Sequence, residues 1–335
     1  MQPSEFSEVV ASLARMSVPQ LQRLAAEAAT RARAAEARAE IERRCGERPA
    51  CPHCKHAHVI RWGTSTGLQR WRCRNCRKTF NSAHGSGLAR LKRRETFLAF
   101  VRNMLAPSPL SCREAAREFG IDRTTAWRWR MKACAAAAGC GSERFSGVVE
   151  ADETFQRESR KGSREWVNHD ADPVNVPKPP RRRWYEHKKH ELPMLRGLSR
   201  WQVPVLTLMD RAGGRRADVL PGLAYKHIGP VLHERVAPDA VLCSDKAQGY
   251  KKFATVTRVR HVRIAARRGE RVKDQTFHIQ NTNALHGRFK DFVRDFDGPA
   301  SRHLPRYVAW FVFRELHQRD PAAAITLFGR VLAAT

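Results

Sequence analysis

The sequence predicts a multidomain α/β protein in which a zinc ribbon and a helix-turn-helix precede a larger, sheet-containing domain. Two observations predict the small modules: four cysteines form two CxxC pairs within residues 47–84, and two short helical segments meet at a glycine within residues 87–140. A third predicts the larger domain, because strand-like apolar runs within residues 145–320 end in aspartate. Residues 1–46 and 321–335 are expected to form a helical arm and a C-terminal tail.

The composition indicates a polyanionic partner. The chain of 335 residues carries 62 Lys and Arg against 33 Asp and Glu, a formal charge of +29. Nucleic acid is the expected partner, because neutralising its phosphates releases counterions. An anionic membrane is the alternative, but no apolar run approaches the ~20 residues of a spanning helix, and no signal peptide is evident. Nine cysteines in a reducing cytosol favour metal ligands or free thiols over disulfides.

The first 46 residues are rich in Ala, Arg and Glu and are predicted to form the helical arm. Apolar residues recur there at roughly helical spacing, and no glycine interrupts the segment before Gly46. A second helix is expected to start near Ser17, which can cap it, with Pro19 in its first turn. The arm is interpreted either as a packing element or as a short oligomerisation helix.

The two CxxC pairs predict a structural zinc site. Cys51 and Cys54 form the first pair, Cys73 and Cys76 the second, and 18 residues separate them. Four thiolates at this spacing can close a tetrahedral Zn²⁺ site, with each pair supplying two ligands from a tight turn. A segment of roughly 30 residues cannot form its own core, so the metal would supply its folding energy. The residues between the two pairs suit a β-hairpin. A redox dithiol or a chance pairing of the cysteines is the alternative.

The zinc-ribbon segment also carries features that suit contact with phosphates. Two tryptophans, Trp62 and Trp71, lie among its many Lys and Arg residues. Three histidines stand near the cysteines, but the four-cysteine set is complete without them. They are therefore expected to be polar or DNA-facing: His53, His56 and His58.

Two adjacent helical segments predict a helix-turn-helix. A capping-box pattern at Ser111 and Glu114 begins the first helix, and Gly120 ends it. Asp122 can cap the second helix, which is expected to run from residue 123 to about residue 132.

The second helix is predicted to enter a major groove. Ala115 and Ala116, followed by Phe119, Ile121 and Trp127, provide small and then bulky side chains for packing at the helix crossing. An ordinary helical hairpin without DNA contacts is the alternative. The residues predicted to bind DNA are Arg123, Thr124, Thr125, Arg128 and Arg130.

Three aspartates end apolar runs in the larger domain. Asp152 follows the run that starts at Phe145, Asp210 ends VPVLTLMD, and Asp245 ends AVLCSD. Carboxylates at the ends of neighbouring strands can hold divalent ions that bridge a scissile phosphate, and Mg²⁺ prefers such oxygen ligands. The pattern alone does not select Asp152 and Asp245 over Asp210. Between the first two runs, the basic segment 156–200 is predicted to be an insertion, with DNA contact as one interpretation.

The chain resembles a known family in the order of its motifs. CPHC and CRNC are followed by the helix-turn-helix, VEADET, SDKAQGY and HIQNTNALHGRFK. This order is similar to that of insertion-sequence transposases with an ISXO-like DDE domain (insertion-sequence family fifteen-ninety-five). The resemblance covers about residues 50–318 and is most specific in the last motif and the following LPRYVAWFVFREL. It implies that residues 145–320 form a ribonuclease H-like (retroviral integrase-like) mixed-sheet catalytic domain.

The resemblance also implies a function, that of a DDE-type DNA transposase, a polynucleotidyl transferase. The first acid of the family matches Asp152 and the second matches Asp245, with Mg²⁺ or Mn²⁺ as catalytic metal. The expected partner is double-stranded DNA, both the terminal inverted repeats of the transposon and the target. Because two ends must be paired, a homodimer or higher oligomer is expected on DNA. The expected location is the nucleoid of a prokaryotic cytoplasm, without membrane association.

The third position of the family's site is occupied by Asn283. Many relatives in the wider superfamily have Glu there, with Lys or Arg seven residues later, and Lys290 stands seven residues after Asn283. The resemblance thus implies a D-D-N site with one negative charge fewer. On a helix, Asn283, His286 and Lys290 share a face. Asn283 is expected to complete the metal site, with His286 and Lys290 contacting DNA near the scissile phosphate. A purely structural role for His286 is the alternative.

Two other functions remain open from the sequence. A non-enzymatic zinc-ribbon and helix-turn-helix regulator, such as a domesticated transposase, would bind DNA without cutting it. A plain nuclease of the same fold would cut strands but never join them. The joint presence of Asp152, Asp245, Asn283 and Lys290 argues against the regulator.

Overall fold

The computed structural model describes residues 2–46, 49–141, 143–178, 202–265 and 269–334. The chain divides into two units: the first consists of Met1–Ala136 and Pro321–Thr335, and the second is the segment Ala137–Asp320. Much of the predicted insertion, 156–200, lies outside the described residues, so its DNA-contacting interpretation remains a prediction.

Two helices begin the first unit, α1 (Pro3–Leu13) and α2 (Val18–Arg43). The start of α2 agrees with the sequence-based expectation: the Gln20 side chain accepts the backbone N–H of Ser17 at 2.8 Å. Near its C-terminal end, α2 buries Ala37 and Ile41. All side chains of α1 are exposed or partly exposed, so the choice between a packing arm and an oligomerisation helix stays open.

The cysteine-containing segment forms a three-stranded antiparallel sheet. Its strands, in spatial order, are β1 (Val59–Ser65), β2 (Leu68–Cys73) and β3 (Thr79–Asn81). Ser65 pairs with Leu68 across a two-residue turn. Thr66 and Gly67 form that turn with φ values of 51° and 76°, as a type I′ hairpin turn requires. This geometry supplies the hairpin expected between the cysteine pairs.

Three helices follow in the first unit. Their bounds are Arg94–Leu105 for α3, Cys112–Glu118 for α4 and Arg123–Ala136 for α5. The predicted capping box is present, because Ser111 Oγ accepts the Glu114 N–H at 3.2 Å and Glu114 Oε2 accepts the Ser111 N–H at 2.8 Å. Gly120 follows α4 with a φ of 57°. Asp122 then caps α5 by accepting the Thr124 N–H at 2.7 Å.

The aromatic residue that packs α5 against α3 is Trp129, which corrects the prediction of Trp127. Trp129 is 7% exposed and meets Phe97 and Phe100 edge to face, with ring centroids 5.3 and 5.6 Å apart. Trp127 is 40% exposed. The reason is helical periodicity: the inward stripe passes through Ala126 and Trp129, and Trp127 lies one position off it.

The second unit is built on a mixed five-stranded sheet. The strands are β4 (Val148–Arg157), β5 (Gln202–Asp210), β6 (Arg215–Val219), β7 (Val241–Ser244) and β8 (Arg260–Arg263), in the spatial order β6-β5-β4-β7-β8. β4, β5 and β6 pair antiparallel, whereas β4, β7 and β8 pair parallel. The chain is therefore an α/β protein with a mixed sheet, as the sequence predicts.

Helices cover both faces of this sheet. Within the described residues, the α-helices of this unit are α6 (Glu165–Ala171), α7 (Tyr225–Arg235), α8 (Gln248–Thr257), α9 (Gln280–Arg294) and α10 (Leu304–Leu316). One face buries Val149, Ala151 and Leu206 together with residues of α7 and α8. On the other face, α9 packs against β4 and β5. None of the helices within the described residues is long and apolar enough to span a membrane.

The last helix, α11 (Ala323–Ala333), belongs to the first unit. It packs against α2, α3 and α5. Leu327, Phe328 and Val331 are fully buried, and the rings of Phe328 and Phe97 lie 6.0 Å apart. The structure thus differs from the tail expected over 321–335. Apolar residues at helical spacing explain the difference, because such a stripe needs a core to cover it.

Candidate active site and cysteine cluster

Four cysteine sulfurs converge in the small sheet of the first unit. The Sγ atoms of Cys51, Cys54, Cys73 and Cys76 lie within 4.8 Å of one another. Two of the separations, Cys51–Cys76 and Cys54–Cys73, are 3.6 Å. Zinc–sulfur bonds of about 2.3 Å in a tetrahedron place sulfurs roughly 3.8 Å apart. The cluster therefore fits a tetrahedral metal ion in both its spacing and its donor atoms.

Two similar turns bring the sulfurs together. Lys55 and Arg77, each directly after the second cysteine of a pair, have left-handed φ values of 61° and 58°. In the first turn, the Lys55 N–H donates to the Cys51 carbonyl at 2.8 Å. These two residues reverse the direction of the chain after each pair, so that all four thiol groups point toward a common centre. The three neighbouring histidines, His53, His56 and His58, are exposed and stand outside the four-sulfur cluster.

Asp152 and Asp245 meet because of the register between β4 and β7. The last parallel pair joins Ala151 to Ser244, so the next residue on each strand is an aspartate. Asp210 serves a different purpose: its carboxylate accepts the Gly214 N–H at 2.7 Å and closes the turn between β5 and β6. The geometry thereby separates Asp152 and Asp245 from the third strand-end aspartate.

An open cleft of about 510 Å³ lies beside Asp152. Its lining combines acids from β4 with polar side chains from α9: Asp152, Glu153, Asn283, His286 and Lys290. Asn283 and Lys290 are exposed. The helical face predicted for α9 thus borders the same cleft as the first acid.

Burial and like charge dominate the electrostatics of this cleft. Burial and, to a lesser extent, the nearby charge of Asp245 raise the pKa of Asp152 to about 7, against the lowering effects of the Glu153 backbone N–H and of Lys290. Burial also raises the pKa of Glu153 to about 7, while a hydrogen bond of 2.7 Å from the Tyr250 hydroxyl lowers it. Carboxylates crowded in this way are stabilised as anions by a divalent cation, and their oxygens are suitable ligands for Mg²⁺.

His286 lies beneath the cleft rather than on an open surface. Its ring is 6% exposed, and its Nε2 lies 2.6 Å from the Thr207 hydroxyl, which also donates to the Asp152 carbonyl at 3.0 Å. The Nδ1 atom is 3.8 Å from Asp152 Oδ2. Burial lowers the pKa of His286 to about 4. This environment favours the structural role that the sequence left open over direct contact with DNA.

Glu153 is a cleft residue that the sequence analysis did not single out. Strict alternation assigns it to the opposite face of β4 from Asp152. It nevertheless borders the cleft, because β7 ends beside Ala151 and leaves this part of β4 without its parallel neighbour. The signal was a second acid directly after Asp152 in the sequence.

The helix predicted to bind DNA presents most of the expected residues. Arg123, Thr124 and Arg128 are exposed, and Thr125 is partly exposed. Arg130 requires a correction, because its side chain is only 3% exposed and its guanidinium donates to the Leu110 carbonyl. Its position on the inward stripe of α5 places it in the packing of the unit.

The exposed side of the small sheet combines cations with aromatic rings. The Arg72 guanidinium lies 4.5 Å from the centre of the Trp62 ring, and Trp62 is 41% exposed. Arg61 lies 5.8 Å from the ring of Trp71, which is itself buried in the core beside the cysteines. Such pairs hold guanidinium groups extended at a surface.

Comparisons with known proteins agree with the sequence resemblance. The model of the ISXO2-like transposase domain matches residues 144–315, just over half of the chain. An uncharacterised protein in the transposable element ISH50 of Halobacterium salinarum (strain ATCC 700922 / JCM 11081 / NRC-1) is 30% identical over 132 residues. That match spans 39% of this chain and 43% of the relative, which is less than half of its length.

Among solved structures, a pre-cleavage Mos1 transpososome is similar over 71% of this chain and 77% of its own. The sequence identity is 8% and the TM-score is 0.21, which is too low to establish a shared fold. The family match over the second unit is the finding that assigns the protein. The chain belongs to the family of ISXO2-like transposases.

Proposed function

We propose that this protein binds the terminal inverted repeats of a transposon and catalyses metal-dependent DNA cleavage and strand transfer. One observation carries the proposal: the β4–β7 register makes Asp152 and Asp245 neighbours, and Asn283 and Lys290 border the same cleft from α9. Carboxylates, a neutral amide oxygen and a cation in one open cleft suit a phosphodiester substrate.

The candidate ligands for Mg²⁺ or Mn²⁺ are the carboxylates of Asp152 and Asp245 and the side-chain carbonyl of Asn283. When bound, the metal would supply positive charge to the scissile phosphate and activate the attacking oxygen. Lys290, exposed at the cleft, would pair with a phosphate oxygen of the DNA strand. The Thr207 and His286 contacts would hold Asp152 in place on β4.

The reaction consists of two phosphodiester exchanges. In the first, a water oxygen bonds to phosphorus at the transposon end, and the P–O3′ bond breaks to leave a free 3′-hydroxyl. In the second, that hydroxyl loses its proton and bonds to a target phosphorus, while the target's P–O3′ bond breaks and its oxygen gains a proton. In-line geometry is needed in both steps, which an open cleft permits.

The remaining parts of the chain support DNA recognition. Residues 47–84 would be a zinc ribbon with structural Zn²⁺ on Cys51, Cys54, Cys73 and Cys76, and residues 87–140 a helix-turn-helix. The second unit would be a ribonuclease H-like domain, a proposal that its mixed sheet supports. A homodimer or higher oligomer on DNA follows from the need to pair two ends.

A supercoiled-donor strand-transfer assay tests the proposal. Wild-type protein with Mg²⁺ or Mn²⁺ should cleave at the ends and join them to target DNA, whereas Asp152→Ala and Asp245→Ala should lose both products. Asp210→Asn is the matched control, because Asp210 also ends a strand but serves a turn, and it should retain activity. Cutting without joining would indicate a nuclease. Sequence-specific binding without cutting would indicate a regulator. Normal activity of Asp152→Ala would refute the site.

A further inference from the structure

Glu150 is a buried carboxylate to which the proposed reaction assigns no part. It lies on β4, on the same face as Asp152 and two residues before it, and is 1% exposed. A buried carboxylate is costly unless hydrogen bonds and opposite charge compensate it. Its partners therefore indicate what this part of the structure is built to hold.

Those partners lie in the first turn of α9. Glu150 Oε2 accepts the backbone N–H groups of Asn281 and Thr282 at 3.0 and 3.1 Å, and Oε1 accepts the Asn281 side-chain amide at 2.8 Å. The residue at the N-cap position of α9, Ile279, has no side chain that can cap. Glu150 thus caps α9 from another element and satisfies N–H groups that lack partners within the helix.

Two further side chains, one of them the cation Arg211, contact the carboxylate itself. Arg211, in the turn after β5, places its Nη1 3.0 Å from Glu150 Oε1, and His278, just before α9, places its Nδ1 3.3 Å from the same atom. Each oxygen of Glu150 therefore has at least two partners. The carboxylate is held from the β5–β6 turn as well as from α9, which limits its freedom to shift along β4.

We propose that Glu150 is a positioning residue that fixes Asn283 relative to Asp152. This inference rests on the proposed function, in which both residues hold one metal ion. Asp152 follows Glu150 by two residues on a strand, and Asn283 directly follows Thr282, whose N–H Glu150 accepts. The strand β4 and the first turn of α9 are both rigid. The Glu150 carboxylate, which joins them, therefore sets the distance between the candidate ligands Asp152 and Asn283.

Glu150→Gln is the primary test, because it preserves size but turns part of the acceptor into a donor facing N–H groups. Glu315→Gln is the matched control. Glu315 is likewise buried and contacts α9, but through Arg288 at 2.8 Å and away from the cleft. Asn281→Ala is a milder variant that removes one contact from an exposed side chain and keeps the test available if Glu150→Gln fails to fold.

The first measurement is backbone amide exchange of the full-length protein, followed by mass spectrometry over residues 280–286. We expect faster exchange in Glu150→Gln, a smaller change of the same sign in Asn281→Ala, and wild-type exchange in Glu315→Gln. The second measurement is Mn²⁺ binding to the protein–DNA complex, read from the resonance of free Mn²⁺. Glu150→Gln should weaken it about tenfold or more, the range known for groups that orient metal ligands, with DNA affinity unchanged.

The inference is overturned if folded Glu150→Gln exchanges and binds Mn²⁺ like the wild type, or if Glu315→Gln weakens Mn²⁺ binding equally. Failure of the proposed function looks different. In that case the wild type would neither cleave nor join DNA in the strand-transfer assay, while the exchange data would still report whether Glu150 anchors α9.

Discussion

Asn283 gives the candidate metal site a lower charge than a third carboxylate would. The site already contains crowded acids, since the charge of Asp245 adds to the effect of burial in raising the pKa of Asp152. Because the side chain of Asn283 is a neutral amide, the metal-free site contains one negative charge fewer than it would with a carboxylate at this position. The same residue leaves less negative charge to attract a divalent ion, so in the proposed reaction DNA phosphates would have to contribute more to holding that ion.

Asn283→Asp tests this balance. We expect the variant to keep cleaving DNA and to reach half-maximal cleavage at roughly tenfold lower Mg²⁺, because ligand charge raises affinity for hard cations. A titration of cleavage against Mg²⁺ measures the change. Ala284→Asp, which adds the same charge at the neighbouring exposed position of α9, should leave the titration unchanged. Complete loss of cleavage in Asn283→Asp would mean that the site requires an amide.

From the environment of His261 we predict how the free energy of unfolding of the second unit depends on pH. Burial, reinforced by Arg263, lowers its pKa from 6.5 to about 4, and its Nε2 lies 2.8 Å from the Ser244 hydroxyl. The folded state therefore binds a proton less readily than the unfolded state. Its contribution to stability is intact above pH 6.5 and is progressively lost as the pH falls toward 4.

Denaturant unfolding between pH 7.5 and 4 measures this contribution. We expect the free energy of unfolding to fall less steeply for His261→Gln than for the wild type across this window. His56→Gln, which changes an exposed histidine of the first unit, should follow the wild-type curve. Parallel curves for the wild type and His261→Gln would contradict the prediction.

One face of α5 is exposed and the other is packed against the rest of the first unit. Arg128 is exposed beside Arg123 and Thr124, whereas Arg130, two residues later, is buried and donates to the Leu110 carbonyl. Sequence alone groups these arginines because both suit phosphate contact. Only their angular positions around α5 distinguish Arg128 from Arg130. Which of the two is buried depends on which stripe of α5 the neighbouring helices cover.

Arg128→Ala should therefore impair DNA binding, whereas Arg130→Ala should impair the stability of the first unit. Arg128→Ala should weaken DNA binding by roughly 1–3 kcal/mol if it contacts a base, with little effect on thermal unfolding. Arg130→Ala should destabilise the first unit by about 1–3 kcal/mol, since it removes a buried guanidinium that donates to the Leu110 carbonyl, and should bind DNA normally once folded. Fluorescence anisotropy and calorimetry measure the two effects. The reverse pattern would place Arg130 at the DNA.

Across the whole molecule, local signals in the sequence predicted more than long-range ones. The Ser111–Glu114 capping box and the hairpin between the cysteine pairs depend on residues close in sequence, and both are present. The aspartates that end apolar runs marked the cleft, but this pattern alone did not separate Asp210 from Asp245. The family resemblance separated them in the sequence, and the register of the sheet separates them in the structure. Glu150 could not be recognised at all, because its partners at Asn281 and Thr282 lie 131 and 132 residues away along the chain.

The position of α11 has a consequence for synthesis. The first unit consists of one segment that ends at Ala136 and a second that begins at Pro321, so its core cannot be complete until the second segment has left the ribosome. Leu327, Phe328 and Val331 fill that core. Nascent chains that stop early would expose the apolar faces of α3 and α5, and chaperones would have to protect them. A stop codon introduced just before Pro321 would therefore disable the first unit rather than the second.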